Sequence, residues 1–172
     1  MLRPRASSWS CCLLLALAAC TGGSADQTID LVFDPCDRLT IATTGEVTDG
    51  QLDSVGDAIA MWNTIAGTRL ELSSGPEASE TPIVWLRFDD AAPAFHGVYI
   101  DETGEIIINR ALGDRHERAV TVAHELGHAF GVLHISDRSS VMNPGNLDTE
   151  PNGADAAEVA AIWNVCSPVT SP

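Results

Sequence analysis

The spacing of the histidines is the feature that most constrains this 172-residue chain, since three of the five histidines lie within residues 124–134. His124 and His128 are four residues apart, so a helix places both imidazoles on one face. Helix geometry cannot bring a third ligand to the same point at His134, so the chain must turn, and Gly131 suits a turn with positive φ. We therefore predict a helix, a turn at Gly131 and three imidazoles around one metal ion.

Three histidines are a typical ligand set of a catalytic zinc site, which keeps its fourth position for water. We predict that His124, His128 and His134 bind one catalytic Zn²⁺ and that the zinc-bound water attacks a peptide carbonyl. Glu125 then acts as the general base, which takes a proton from this water and passes it to the leaving amine. Two other interpretations remain: a surface helix whose histidines only make hydrogen bonds, and an inactive protein that still binds the metal.

The pattern His124-Glu125-x-x-His128-x-x-Gly131-x-x-His134 resembles the signature of the metzincin zinc metalloproteases. Residues 140–144 resemble the Met-turn of that clan, and the spacing of eight residues from His134 to Met142 is similar to that of the matrixins. The resemblance implies an α+β, metzincin-like fold with a mixed twisted sheet, an active-site helix, a second packed helix and a C-terminal helix. It also implies that Met142 forms a hydrophobic floor below the metal without binding it.

The same resemblance implies an edge strand that pairs with an extended substrate backbone, formed by Gly97, Val98, Tyr99 and Ile100. Asn143 stands where some metzincins carry a metal-binding tyrosine, so we expect no fifth protein ligand. Outside the motif only His96 and His116 remain, and a second zinc is not expected. A calcium site is open but unsupported, since acidic loops are usually only solvated; the acidic residues considered are Asp89, Asp90, Asp101, Glu102 and Glu105.

The N-terminal residues 1–19 have the layout of a secretory signal peptide, with Arg3 and Arg5 before an apolar run too short to span a bilayer. The segment 17–20 (Leu-Ala-Ala-Cys) resembles the lipobox of bacterial lipoproteins, which implies cleavage before Cys20 and a diacylglycerol on its sulfur. Residues 20–28 then form a flexible tether. Thr21 after this cysteine is similar to lipoproteins sent to an outer membrane. The expected location is the bacterial cell envelope, or the exterior if the segment is an ordinary signal peptide.

Cys36 and Cys166 are the two cysteines left in the domain after Cys11, Cys12 and Cys20 are assigned to the export segment. In an oxidising compartment we predict a disulfide between them. Two buried free thiols, or Cys36 as an inhibitory zinc ligand, are the alternatives.

The charge of the chain is strongly acidic: all 24 acidic but only seven of the nine basic residues follow residue 19, a formal net charge of −17. Such a surface repels nucleic acid and anionic lipid. The expected partners are therefore a polypeptide substrate and, through the lipid anchor alone, a membrane, and we expect a monomer.

The apolar patterns predict one domain, residues 29–167, with the order β-α-β-β-β-β-α-loop-α and a tail at 168–172. A capping box at Thr48 begins the first helix, Asp114 caps the second, and Asp155 begins the third, on which Val159 and Cys166 share a face. The strands are expected near residues 29–43, with an interruption at Asp34-Pro35, and near residues 69–72, 83–88, 98–100 and 106–108.

Two functions compete with peptide hydrolysis. One is a binding or adhesion module in which zinc is structural, but Glu125 and the open fourth position disfavour it because structural zinc sites are normally closed. The other is a zinc amidase acting on cell-wall cross-links, whose chemistry at the metal is identical, so that only substrate trials separate it from a protease. Cleavage specificity depends on the wall formed by residues 135–153.

Overall fold

The computed structural model describes residues 28–73 and 81–166. The signal segment, the lipidation site Cys20, the tether through residue 27 and the tail at 168–172 lie outside the described residues, so these expectations stay predictions. Among the helices of the described ranges, none combines the length and the apolar character needed to cross a membrane.

The elements follow the predicted order and confirm the α+β class. Five strands and three helices are present: β1 (Arg38–Thr44), α1 (Asp49–Ala66), β2 (Arg69–Ser73), β3 (Ile83–Asp89), β4 (Gly97–Ile100), β5 (Glu105–Asn109), α2 (Arg115–Ala129) and α3 (Gly153–Trp163).

The strands form one mixed sheet in the order β2-β1-β3-β5-β4. β1 lies parallel to β2 and to β3, and β3 lies parallel to β5. Only β4 runs antiparallel to its neighbour, with Gly97 opposite Ile108 and Ile100 opposite Glu105. β4 is therefore an edge strand, as the resemblance implied, and α2 packs against it and against β5.

The core lies between the sheet and the two long helices. Alternate residues of β3 are buried, because successive side chains of a strand point to opposite faces. On α1, Trp62 is fully buried, and its Nε1–H donates to the carbonyl of Ala123 on α2 at 2.9 Å. Its ring meets Phe130 edge to face, with the centroids 5.5 Å apart. These contacts hold the histidine-bearing helix against α1.

The first two helices begin where the sequence predicts. The Thr48 side chain accepts from the Gln51 N–H while Gln51 reaches back to the Thr48 N–H, and Gly67 ends α1 in the left-handed conformation with φ of 68°. The Asp114 side chain accepts from two N–H groups of the first turn of α2.

Two boundaries differ from the predictions. The first strand begins at Arg38, after the predicted interruption at Asp34-Pro35, so residues 29–33 are not part of it. Helix α3 begins at Gly153 with Asn152 as its N-cap, and Asp155 is the third residue of the capping box instead of the cap. The helix ends at Trp163, so Cys166 is not on it and does not share a helix face with Val159.

A disulfide bond joins Cys36 to Cys166 over a sequence separation of 130 residues. It ties the segment before β1 to the chain after α3. In this state Cys36 has no thiolate to offer a metal.

Candidate metal centre and active site

Three imidazoles converge at the C-terminal end of α2. Nε2 of His134 lies 3.2 Å from Nε2 of His124 and 3.2 Å from Nε2 of His128, and one ligand atom from each residue lies within 4.8 Å of the others. Across the described ranges, this is the one group of three or more histidine, cysteine or acidic side chains close enough to share a metal ion. The structure thus brings together the three predicted ligands.

The geometry of these nitrogens fits zinc. Zinc–nitrogen bonds of about 2.0–2.1 Å at tetrahedral angles separate two ligand nitrogens by about 3.3 Å. Two of the three separations, those from His134 to His124 and to His128, are 3.2 Å and close to this value. An all-nitrogen set of three protein ligands is also the donor set that leaves one position open for water.

Backbone carbonyls orient two of the three rings. The Nδ1–H of His124 donates to the Val141 carbonyl at 2.6 Å, and the Nδ1–H of His128 donates to the Val132 carbonyl at 2.8 Å. Since a carbonyl oxygen can only accept, the proton of each neutral ring is on Nδ1 and the lone pair of Nε2 faces the shared point.

The surroundings favour the neutral rings that bind metals. Burial lowers the pKa of His124 and of His134, and burial together with the neighbouring His124 lowers the pKa of His128 to about 3. Near neutral pH all three histidines therefore present lone pairs instead of positive charges.

The turn after α2 depends on Gly131. Its φ of 92° is a backbone conformation that residues with a Cβ rarely adopt. The turn closes with the Val132 N–H donating to the Gly127 carbonyl at 2.9 Å. The predicted turn is present, and it carries the chain back to His134.

Glu125 is buried beside the edge strand, with 6% of its surface exposed. Burial raises the pKa of its carboxyl to about 8, while a hydrogen bond from the Tyr99 backbone N–H opposes the rise. A cation held by the adjacent histidines favours the ionised carboxylate. Glu125 therefore lies between the histidine-bearing face of α2 and β4.

Gly97 is the reason that α2 can approach β4 so closely. A Cβ at this position would lie 2.9 Å from Thr121 Cγ2 and 3.0 Å from Glu125 Oε1. The sequence predicts that Gly97 lies on the edge strand, but it does not show that the Glu125 side chain packs against Gly97.

Met142 packs directly against α2. It is fully buried, and a Cβ added to Gly127 would clash with its Sδ. The Met142 carbonyl accepts from the Ile135 N–H, and the Asn143 Nδ2 donates to the Ile135 carbonyl. Met142 thus packs against the turn of α2 between His124 and His128, and its role as a hydrophobic floor stays a prediction.

On β4, the Tyr99 hydroxyl donates to the Leu31 carbonyl at 2.6 Å, and burial raises the pKa of this tyrosine to about 12. Tyr99 therefore stays neutral and tied to the segment before β1. One edge of β4 pairs with β5, and no described strand pairs with the other edge.

The acidic residues considered for calcium are mostly engaged elsewhere. Arg87 pairs with Asp89 and, at 2.8 Å, with Glu105. Asp101 accepts from the Asp30 N–H at 3.0 Å. These contacts give calcium no support.

Sequence reasoning missed the role of Asp155 in this region. Its carboxylate is fully buried and accepts hydrogen bonds from Ser140 Oγ, the Val141 N–H and the Asn152 N–H. The Asn-x-x-Asp spacing signals a capping box, but nothing in the sequence shows that the carboxylate also reaches the Met-turn.

Comparisons with protein-family models and with curated proteins give no match for this chain. Solved structures do match. Two structures of myroilysin, each 13% identical, have TM-scores of 0.57 and 0.56; the first match covers 79% of this chain and 97% of that chain, and the second 77% and 85%. Archaemetzincin from Methanopyrus kandleri has a TM-score of 0.53 at 16% identity, over 72% of this chain and 93% of that chain. At such identities the similarity concerns the fold, and the chain has the metzincin-like fold that these proteins share.

Proposed function

We propose that this protein is a zinc-dependent metalloendopeptidase of the matrixin-like kind, with Glu125 as the general base. The observation that carries the proposal is the convergence of three Nε2 atoms beside the buried carboxylate of Glu125. The matrixin-like assignment rests on the spacing of Met142 and Pro144 after His134.

The zinc ion and the residues of the chain have separate roles in the proposed reaction. A zinc ion held by His124, His128 and His134 would act as a Lewis acid toward the substrate carbonyl and would lower the pKa of a water molecule. The carbonyls of Val141 and Val132 keep the imidazoles aimed at one point. Glu125 accepts the proton of the attacking water at a carboxylate oxygen and returns it to the leaving nitrogen.

The proposed substrate is an extended polypeptide. An extended chain can add to an exposed sheet edge by main-chain hydrogen bonds, and β4 offers such an edge. The Tyr99 N–H on this strand already contacts the Glu125 carboxylate. A peptide lying along β4 therefore passes the base and the histidines together.

The first test compares the purified protein with its Glu125→Gln variant, and it measures bound zinc per chain and cleavage of casein. We expect one zinc in both proteins and cleavage by the parent alone, lost on chelation. Glu117→Gln makes the same chemical change on the same helix away from the histidines and is expected to keep full activity. Zinc in both proteins without casein cleavage would favour the binding module or the cell-wall amidase. No zinc in either would remove the proposal.

We further propose that the protein is exported and held in the cell envelope by a lipid on Cys20. The signal-like residues 1–19 and the disulfide between Cys36 and Cys166, a bond typical of oxidising compartments, support this. Incorporation of labelled palmitate is expected for the parent and not for Cys20→Ala, which should leave the membrane fraction. An unchanged membrane fraction for this variant would contradict the lipid anchor.

A further inference from the structure

Asp155 carries a carboxylate that is fully buried between the start of α3 and the Met-turn. Burying an ionised carboxylate is unfavourable unless hydrogen bonds replace its water. Three donors do so here: Ser140 Oγ at 2.5 Å, the Asn152 N–H at 2.9 Å and the Val141 N–H at 3.2 Å. Only the bond from Asn152 belongs to the capping of α3, and the other two reach the Met-turn.

Val141 connects this carboxylate to a metal ligand. The Val141 N–H donates to the Asp155 carboxylate, and the Val141 carbonyl accepts from the His124 Nδ1–H at 2.6 Å. The peptide groups on both sides of Val141 are therefore held at once, one by α3 and one by α2. Any rotation of this segment would turn the His124 ring and move its Nε2 away from the shared point.

Ser140 makes a second connection. Its Oγ donates to Asp155 and accepts from the Met142 N–H at 2.9 Å. Met142 in turn lies against Gly127 on α2. The same carboxylate thus helps to hold the segment that lies below the metal centre.

We infer that Asp155 is a positioning residue of the metal centre, whose carboxylate holds Val141 and thereby sets the direction of His124 Nε2. The inference rests on the proposed function in so far as zinc is the metal at the three histidines. Groups that orient a ligand from outside the coordination shell typically change metal affinity by about 10–100-fold. Because Asp155 acts through one peptide group, we expect a loss of about tenfold for Asp155→Ala.

The test measures zinc affinity by competition with a chelator for the parent protein, Asp155→Ala, Asp155→Asn and Ser140→Ala. Asparagine keeps one acceptor oxygen, so its loss of affinity should be smaller than that of alanine. Ser140→Ala keeps the Val141 contact and should also fall between the parent and Asp155→Ala. If Asp155→Ala does not fold, the other two variants decide.

Asn152→Ala is the matched control. The Asn152 side chain accepts from the Ala154 and Asp155 N–H groups and donates to the Ser139 carbonyl, so its removal weakens the same helix end and its contact with residue 139. The bond from the Val141 N–H to Asp155 remains. We expect a lower melting temperature and the zinc affinity of the parent. Cobalt in place of zinc gives a second measurement, since its absorption bands report ligand geometry; they should shift in the Asp155 variants and not in the control.

Two results would overturn the inference: an unchanged zinc affinity in Asp155→Ala, or equal losses in Asp155→Ala and Asn152→Ala, which would leave Asp155 as a helix cap. A parent protein without zinc would overturn it as well. A parent that binds zinc but cleaves no polypeptide would remove the proposed function alone, because affinity and cobalt spectra do not depend on cleavage.

Discussion

Helix α2 and the connecting segment (residues 131–152) both supply the metal centre, but different interactions hold them. Within α2 the backbone bonds to itself, and the helix is buried against α1 and the sheet. The connecting segment has no helix or strand. Instead, side chains donate hydrogen bonds to its backbone. The Asn146 amide donates to the Ser140 carbonyl, and the Asn143 amide donates to the Ile135 carbonyl. A regular helix can hold His124 and His128 by itself, whereas His134 lies on a segment that is held by hydrogen bonds with side chains of its own residues and of Asp155.

The largest expected effect comes from removing the metal. Chelation should abolish cleavage, and zinc should restore it. At zinc concentrations about a hundred times the dissociation constant, binding stabilises the folded state by about 2.7 kcal/mol. Hydrogen exchange should rise more in the connecting segment than in α2, because the helix keeps its own backbone bonds. An equal rise in both regions would contradict the comparison.

A Cβ at Gly97 should impair catalysis without removing the metal. In Gly97→Ala the methyl group meets Glu125 and Thr121 at about 3 Å, which displaces the base from β4. A displacement of about 1 Å can lower kcat on the order of a hundredfold. Kinetics and zinc content measure the two effects separately. Gly113→Ala, where a Cβ meets nothing within 4 Å, should keep full activity. Loss of zinc in Gly97→Ala would mean that the site, and not the base alone, has moved.

The junction of the two regions is tested at Gly127. Gly127→Ala places a methyl group on Met142, and such overpacking costs about 1–3 kcal/mol. Denaturant unfolding measures the change. Gly56→Ala on α1 is the control: a Cβ there meets nothing within 4 Å, so the better helix propensity of alanine should stabilise by about 0.5–1 kcal/mol. Similar stabilisation in both variants would show that Met142 can move aside.

The smallest effect is expected at a helix end far from the histidines. Thr48→Ala removes the capping box of α1 and should cost about 1 kcal/mol of unfolding free energy. Zinc affinity should stay at the parent value, since the first turn of α1 carries no ligand. Calorimetry measures the change in stability, and chelator competition measures the zinc affinity. A fall in affinity would show that the first turn of α1 also influences the metal centre.

Local signals in the sequence predicted much of the fold. Thr48 with Gln51, Gly67 and Asp114 mark helix ends through hydrogen bonds with nearby residues, so their effect can be read along the chain. The interruption at Pro35 is present, and the strand lies only after it, from Arg38 onward. The start of α3 differs from the prediction because Asn152, and not Asp155, is its N-cap.

The sequence by itself determined that His124 and His128 share a helix face, that the chain turns at Gly131 and that it returns to His134, because helical spacing and glycine's conformational freedom act over a few residues. The tertiary structure decided that Gly97 leaves room for Glu125, that Gly127 receives Met142 and that Asp155 reaches Val141. Each of these contacts joins separate elements or loops. Their distances follow from how the helices and the sheet pack, and residue spacing carries no record of that packing.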